Sequence, residues 1–262
     1  MARILVTGSA QGLGMSAAAD LFDQGHQVVV HVRDPDRSAA VADLAQRGAA
    51  VVVGDLASGE QTRRLADQVN KLGRMDAIIH NAGVYADSHR HPGPEGHPRT
   101  LAVNTLAPYL LTGLIERPDR LIYLTSGMHR SGDDSLRDLD WSSRGWNGIQ
   151  AYCDSKLFVT TLALSIARCW PDVTSNAVDP GWVPTRMGGP GAPDDLEEGH
   201  RTQVRLAVGN DPIAERSGQV LHHQRTARTA TAALDTNFQD RLLTRLAELT
   251  GFELPNTPAH PS

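Results

Sequence analysis

Tyr152 and Lys156 are four residues apart, the spacing that sets two side chains on one face of a helix. Together they can move a proton. A phenol ordinarily titrates near ~10, too high for a base at neutral pH. A neighbouring ammonium favours the phenolate and draws it toward the working range, and in the opposite direction the phenol donates to a developing alkoxide. Ser126, just past an apolar run, can hydrogen-bond a carbonyl oxygen and hold it in place for that proton. Asn104, farther upstream, is a candidate to hold a water that links Lys156 to solvent. Tyr-x-x-x-Lys alone arises by chance on many helix surfaces, so its weight depends on its company.

The strongest companion is Thr7-Gly8-Ser9-Ala10-Gln11-Gly12-Leu13-Gly14, between an apolar N-terminal run and a helical one. Glycines there let the chain turn tightly and approach a pyrophosphate, and the free N–H groups at the helix start form an anion site. Gly8, Ser9, Gln11, Gly12, Leu13 and Gly14 are therefore expected to contact a dinucleotide. The spacing G-x-x-x-G-x-G departs from G-x-G-x-x-G, and a tight turn that binds nothing competes for this segment taken alone.

The end of the next apolar run chooses between dinucleotides. An acid there accepts from the adenine ribose hydroxyls, whereas an arginine pairs with a 2′-phosphate. The chain has Val32 where the acid would stand and Arg33 after it, which favours NADP(H). The competing reading folds Asp34 back to the ribose and makes the cofactor NAD(H). Asp55 and Leu56 are expected at the adenine edge, although a capping or turn role suits Asp55 nearly as well. Asn81-Ala82-Gly83 follows another apolar run; its small residues allow close approach, and Asn81 can tie neighbouring strands.

Short β-rich runs alternating with helical stretches must carry these residues, a pattern that predicts an α/β fold with a parallel sheet covered on both faces. Strands are predicted at Arg3–Thr7, Gln27–Val32, Ala50–Val53, Asp76–His80, Arg120–Thr125, Val173–Val178 and Gln219–His222. Helices are predicted over Gly12–Gln24, Asp36–Arg47, Gly59–Leu72, Thr100–Leu114, Ile149–Cys169 and Asn237–Leu249. One domain spans 1–262, with substrate loops at Val84–Pro98, at Gly127–Gly148 and at Pro184–Asp195, the last a candidate lid. Pro255–Ser262 is expected to fray.

Composition excludes several alternatives. Hydrophobic residues make up 40% and charged ones 21%, ordinary for a soluble globular protein, and the net charge of −5 offers no basic footprint for nucleic acid. Apolar runs are strand-sized, so no membrane span is expected. The N-terminus lacks the layout of a secretory signal, which points to a cytoplasmic location. Cys153 and Cys169, on one helix, would stand roughly 24 Å apart and cannot form a disulfide. Histidines at 89, 91, 97, 222 and 223 lack a recognisable ligand spacing, so no metal is expected. His129, near the mouth of the site, reads as making a structural bond to the 127–148 insertion rather than as a catalytic residue. Trp146 and Trp182 are candidate pocket walls, with core packing as the alternative.

Taken in order, Thr7-Gly8-x-x-x-Gly12-x-Gly14, Asn81-Ala82-Gly83, Asn104, Ser126, Tyr152-x-x-x-Lys156 and Pro180-Gly181 resemble the short-chain dehydrogenase/reductase family. The resemblance runs to about residue 250 and implies a Rossmann-type, doubly wound parallel sheet of about seven strands. It also implies Ser126, Tyr152 and Lys156 as the catalytic set with Asn104 as relay. Pro180 and Gly181 belong to the segment expected against the nicotinamide, Val183 by its backbone and Thr185 by its hydroxyl. Ser126 and Tyr152 are 26 residues apart, longer than usual in the family, and the intervening segment resembles the retinol dehydrogenase and carbonyl reductase branch. Gln11 stands where NADP enzymes often place a basic residue. Relatives pair through the helices bearing Asn104 and Tyr152, so a homodimer or homotetramer is one expectation, although some carbonyl reductases are monomeric.

The reading favoured is an NADP(H)-dependent oxidoreductase interconverting a carbonyl compound and an alcohol, its substrate neutral or apolar. A sugar-nucleotide epimerase or dehydratase would use the same Tyr/Lys pair but normally carries a larger C-terminal substrate domain. A non-catalytic dinucleotide sensor would have no need of a proton donor.

Overall fold

Runs such as Val28-Val29-Val30 cannot leave either face in water, and the structure buries both. The computed structural model describes residues 1–255. Strands β1 (Arg3–Val6), β2 (Gln27–Val32), β3 (Ala50–Val53), β4 (Ala77–His80), β5 (Arg120–Leu124), β6 (Thr174–Asp179) and β7 (Val220–His222) lie parallel in the order β3-β2-β1-β4-β5-β6-β7. A short β8 (Arg225–Thr226) runs antiparallel to β7 and makes an eighth strand where seven are predicted. It returns through His223 and Gln224, both at positive φ, a two-residue turn that the side-chain pattern does not announce.

Alternation along the strands splits the interior into two cores. Ile4, Val6, Val28, Val30, Ile79, Leu124 and Val178 pack beneath α1 (Gly12–Asp23), α2 (Ala42–Gln46) and α7 (Leu196–Val208). Leu5, Val29, Ile78, Tyr123 and Ala177 pack beneath α3 (Gly59–Lys71), α4 (Arg99–Leu101), α5 (Ala107–Leu114), α6 (Gly148–Cys169), α8 (Thr231–Leu234) and α9 (Thr236–Thr250). Every residue of α6 from Ala151 to Ile166 is buried within the chain, with α8, α9 and the Gly127–Ser131 turn packed around it. Both cysteines are free.

Three stretches differ from expectation. The predicted helix over Asp36–Arg47 is a 3-10 segment, Pro35–Val41, followed by the single turn α2. Asp34 caps the segment by accepting from the Arg37 N–H, and Val41 at φ −110°, ψ 11° breaks the helical path before α2. The predicted helix over Thr100–Leu114 is continuous but contains a π turn, Ala102–Leu106, between α4 and α5. Helix α7 is not predicted at all: Thr202 and Gln203 are buried among its core residues and blur its apolar stripe. Its start is nonetheless written in Asp195, which accepts from the N–H groups of Glu197 and Glu198.

The tail expected to fray lies outside the described residues except for Pro255, whose carbonyl accepts from Trp170 Nε1 at 3.0 Å. Among the described residues no helix is long and apolar enough to cross a membrane.

Candidate active site

The carboxyl ends of β1 to β6 all open onto one edge, and the strand order reverses between β1 and β4, where open α/β sheets form a crevice. The glycine turn lines that crevice. Gly8 has φ +70°, and a Cβ on Gly14 would stand 2.3 Å from Asn81 Nδ2 and 2.5 Å from the Gly8 carbonyl, so no other residue fits there. Asn81 Nδ2 donates to the Thr7 carbonyl at 2.8 Å, and the Ala82 N–H donates to Thr7 Oγ1 at 3.0 Å. Asn81 thus ties β4 to β1, as expected, and Ala82 seals the turn from below. Gln11 and Leu13 flank the helix start, Gln11 exposed and Leu13 directed at α7 beside Gly199. Ser9 differs from expectation: it is fully buried, its hydroxyl donates to the Val6 carbonyl and accepts from the His31 N–H, and its own N–H donates to the His31 carbonyl. Ser9 therefore braces the turn and presents neither group to a ligand.

Beyond β2, Arg33 Nε donates to Asp34 Oδ2 at 3.1 Å, and Arg37 Nε lies 3.7 Å from the same oxygen. Asp34 is thus engaged by two guanidiniums and a helical cap. Arg37 was not among the expected residues; it becomes visible only when the 3-10 segment brings it beside Arg33. After β3, Asp55 Oδ1 accepts from the Ala57 N–H in a local turn, and Leu56 is buried in the core under α5.

The reacting end is built from β5 and the first turns of α6. Asn147 starts that helix by accepting from the Gln150 N–H at 3.0 Å. Tyr152 is 6% exposed, and the Ser126 side chain is close enough to its phenol to favour the phenolate. Lys156 is equally buried; its Nζ donates to the Leu124 carbonyl at 2.8 Å and lies 5.6 Å from the Tyr152 ring centre. Burial pulls the Lys156 ammonium down to about 8. Burial pushes the Tyr152 phenol up, with the Ser126 side chain working against it. The downward pull expected from Lys156 is therefore not the dominant influence, because the ammonium is drawn toward the strand end and the phenol is desolvated.

Asn104 sits in the π turn. Its Oδ1 accepts from the Val84 N–H at 2.8 Å, and its Nδ2 donates to the Val84 carbonyl and to Ser155 Oγ, both at 3.0 Å. It clamps the chain leaving Gly83 to the residue preceding Lys156. A Cβ on Gly83 would meet Asn104 Oδ1 at 3.4 Å and Lys156 Nζ at 3.6 Å, so both polar atoms border the same corner.

The turn after β6 closes the groove. Gly181 has φ +83°, Val183 is buried against Gly199, and the Thr185 methyl is 3.3 Å from where a Cβ of Gly12 would lie. Met187 Cε stands 3.9 Å from the corresponding point on Gly83. Pro180, Gly181, Val183 and Thr185 thus run from the β6 end to the glycine turn, with Met187 over the reacting end.

The other two loops are ordered by specific contacts. Asp138 accepts from the N–H groups of Ser142 and Arg144, while Arg144 stacks 3.6 Å over Trp141 and donates to Asp154 at 2.8 Å and Asp133 at 3.1 Å. This network fastens the 127–148 insertion to the residue two beyond Tyr152. Trp146 donates to the Asp87 carbonyl at 2.9 Å and packs on Trp141, joining the insertion to the 84–98 loop. Tyr85 packs edge-on against Tyr152 at 4.7 Å. His129 bonds the Ser126 carbonyl through Nδ1 and accepts from the Ala230 N–H through Nε2, a structural role whose partners lie outside the 127–148 insertion. Among the described residues no group of His, Cys, Asp or Glu is arranged to hold a metal.

Residues 8–213 match the family model described as enoyl-(acyl carrier protein) reductase. Short-chain dehydrogenase chry4 of Gibberella zeae is 37% identical over 259 residues, covering 98% of this chain and 100% of the relative. Retinol dehydrogenase 13 of Homo sapiens is 29% identical over 290 residues, covering 98% of this chain and 87% of its own. Among solved structures, an uncharacterized protein from Mycobacterium Paratuberculosis matches with a TM-score of 0.81 at 25% identity, covering 97% of this chain and 95% of that one.

Proposed function

The chain belongs to the short-chain dehydrogenase/reductase family of oxidoreductases, and from that membership we propose that it interconverts a carbonyl compound and an alcohol with NADP(H), Tyr152 exchanging the proton. The observation that carries this reading is the buried Tyr152 phenol beside Ser126, with Lys156 Nζ 5.6 Å from the Tyr152 ring centre and a glycine turn on the same sheet edge.

The groove suits a dinucleotide: glycine is required at 8 and 14, and two arginines follow β2. Gly8, Gly12 and Gly14 would line the pyrophosphate, with Gln11 and Leu13 at the helix start. Arg33, joined by Arg37, would pair with the 2′-phosphate. Asp55 and Leu56 would border the adenine, and Asn81, Ala82 and Gly83 the ribose beyond it. Pro180, Gly181, Val183 and Thr185 would hold the nicotinamide, which supplies the hydride when bound. Ser126 orients the carbonyl oxygen, and Tyr152 donates its proton as the alkoxide develops. Lys156 favours the phenolate left behind, and a water in the corner beside Gly83, between Asn104 Oδ1 and Lys156 Nζ, would return the proton.

Tyr85, Ile149, Trp182 and Met187 are exposed apolar side chains on segments around Tyr152, which supports a neutral, apolar substrate. The residues after Thr185 complete the same sheet through β7, so an epimerase-like second domain has no counterpart among the described residues.

Titration with NADPH and NADH, followed by nicotinamide fluorescence, tests the cofactor assignment; a panel of neutral aldehydes, ketones and quinones then tests the reaction. Tighter NADPH binding with turnover of a carbonyl is expected. Turnover confined to an enoyl thioester would contradict the proposal.

A further inference from the structure

Asp179 is the last residue of β6 and stands outside every motif that marks the site. Ala177 packs in the core under α6 and Val178 in the core under α1 and α7, so alternation turns Asp179 toward α6, the helix of Tyr152 and Lys156. On one side lies the end of β5, where Leu124 pairs with Val178 and its carbonyl holds Lys156 Nζ. On the other side Asp179 pairs with His222, whose Nδ1 is 3.7 Å from Asp179 Oδ2. Asp179 Oδ1 accepts from the Gly181 N–H at 3.1 Å. Oδ2 is 3.1 Å from where a Cβ on Gly127 would stand, one residue beyond Ser126. The side chain is 15% exposed. A carboxyl group therefore occupies the space between the Ser126 strand end and the turn that closes the groove.

We propose that Asp179 is an electrostatic positioning residue of the reaction centre, its carboxylate keeping both the Lys156 ammonium and the Tyr152 phenol protonated although each is buried. The inference rests on the reading of Tyr152 and Lys156 as the proton-handling pair. Lys156 donates to a neutral carbonyl and burial works against its charge; Asp179 is the charge that works the other way. Against Tyr152 the same charge disfavours phenolate, as do Tyr85 and Cys153 more weakly, while the Ser126 side chain favours it. His129 and Arg130 approach Asp179 from the turn after β5, His222 and His223 from β7, and Asp194 borders the Gly181 turn. The combined result is a pair that retains both protons near neutral pH, the state required to protonate a carbonyl oxygen. The Asp179 charge thus favours the protonation state from which carbonyl reduction starts.

Lysine labelling tests this directly, because Lys71 and Lys156 are the only lysines of the chain and Lys71 is exposed at the end of α3. Full-length protein with isotope-labelled lysine gives two side-chain signals to follow by NMR as pH rises, Lys71 serving as the internal reference. In Asp179→Asn the amide oxygen can still accept from Gly181, so the turn keeps its bond while the charge is lost. The Lys156 midpoint should fall by about one pH unit with Lys71 unmoved, and Asp179→Glu should stay near the wild-type midpoint. If Asp179→Asn fails to fold, Asp179→Ser, which also keeps an acceptor, should show the same displacement. A Lys156 midpoint that stays in place or rises on loss of the charge overturns the proposal. The basic limb of carbonyl reduction should move down with the Lys156 midpoint. If the wild type reduces no carbonyl while the lysine titration behaves as stated, the catalytic reading fails and the electrostatic placement of Asp179 stands.

Discussion

The backbone N–H of Gly8 donates to His31 Nδ1 at 2.9 Å, while Nε2 of the same ring meets the Gly54 carbonyl at 2.8 Å. Since Nδ1 accepts, the ring proton sits on Nε2 and is donated to Gly54. One buried, neutral imidazole thereby ties the glycine turn to the end of β3. Burial lowers the pKa of His31, which keeps the ring in the form this geometry requires.

His31→Leu keeps much of the bulk and removes the acceptor, leaving the Gly8 N–H unpaired. Urea unfolding should register a loss of about 1–3 kcal/mol, and NADPH should bind several-fold more weakly. An unchanged unfolding midpoint and affinity would mean that the turn does not depend on the ring.

Acid should destabilise the fold well before the carboxylates titrate. Burial pulls His80 from 6.5 to about 3, and it lowers His31 and His129 as well. A base depressed in the folded state stays neutral there, while the unfolded chain takes up its proton below pH 6.5. The stability is thus complete above that pH and lost as pH falls toward the folded value. For His80 alone, a drop of roughly two pH units below 6.5 should cost about 3 kcal/mol. Denaturant melts at neutral and mildly acid pH measure this, and a His80→Gln protein should lose less over the same interval. Equal losses in the two proteins would contradict the assignment.

Arg33→Ala and Arg37→Ala should each raise the NADPH dissociation constant about tenfold, as loss of a charge-assisted bond implies, and leave NADH binding nearly unchanged. Equal weakening toward both cofactors would remove the phosphate role from that pair.

Thr185 approaches Gly12 and Met187 approaches Gly83, which places the 184–195 segment where an entering dinucleotide is expected to meet it. Hydrogen exchange of that segment should slow on adding NADPH, while the α6 amides change little. Identical exchange with and without NADPH would argue against a lid.

The strands, the glycine turn and the Tyr/Lys helix were legible because each rests on a local rule: β-branched runs, a glycine at positive φ, a four-residue spacing. Ala50–Val53 and Gln27–Val32 appear in the structure at their predicted bounds. What escaped depends on pairs far apart in sequence. Arg37 acquires its place only through the Asp34 cap, and Ser9 loses its outward role only because His31 on β2 lies beside it. The 127–148 insertion reads as polar and irregular, yet Arg144 and Asp154 fasten it to α6, a contact that no periodicity encodes. Helix α7 was hidden because its buried face includes Thr202 and Gln203. Spacing reveals the neighbouring ammonium of Lys156 but not the desolvation that pushes the Tyr152 phenol up.

The central claim is that Tyr152 carries the proton. Tyr152→Phe removes only the hydroxyl and keeps the ring against Tyr85. Carbonyl reduction should fall by about a hundredfold to ten-thousandfold, the range expected for loss of a general acid, with the NADPH dissociation constant changed by less than about threefold. Turnover that survives this substitution near the wild-type rate would contradict the account.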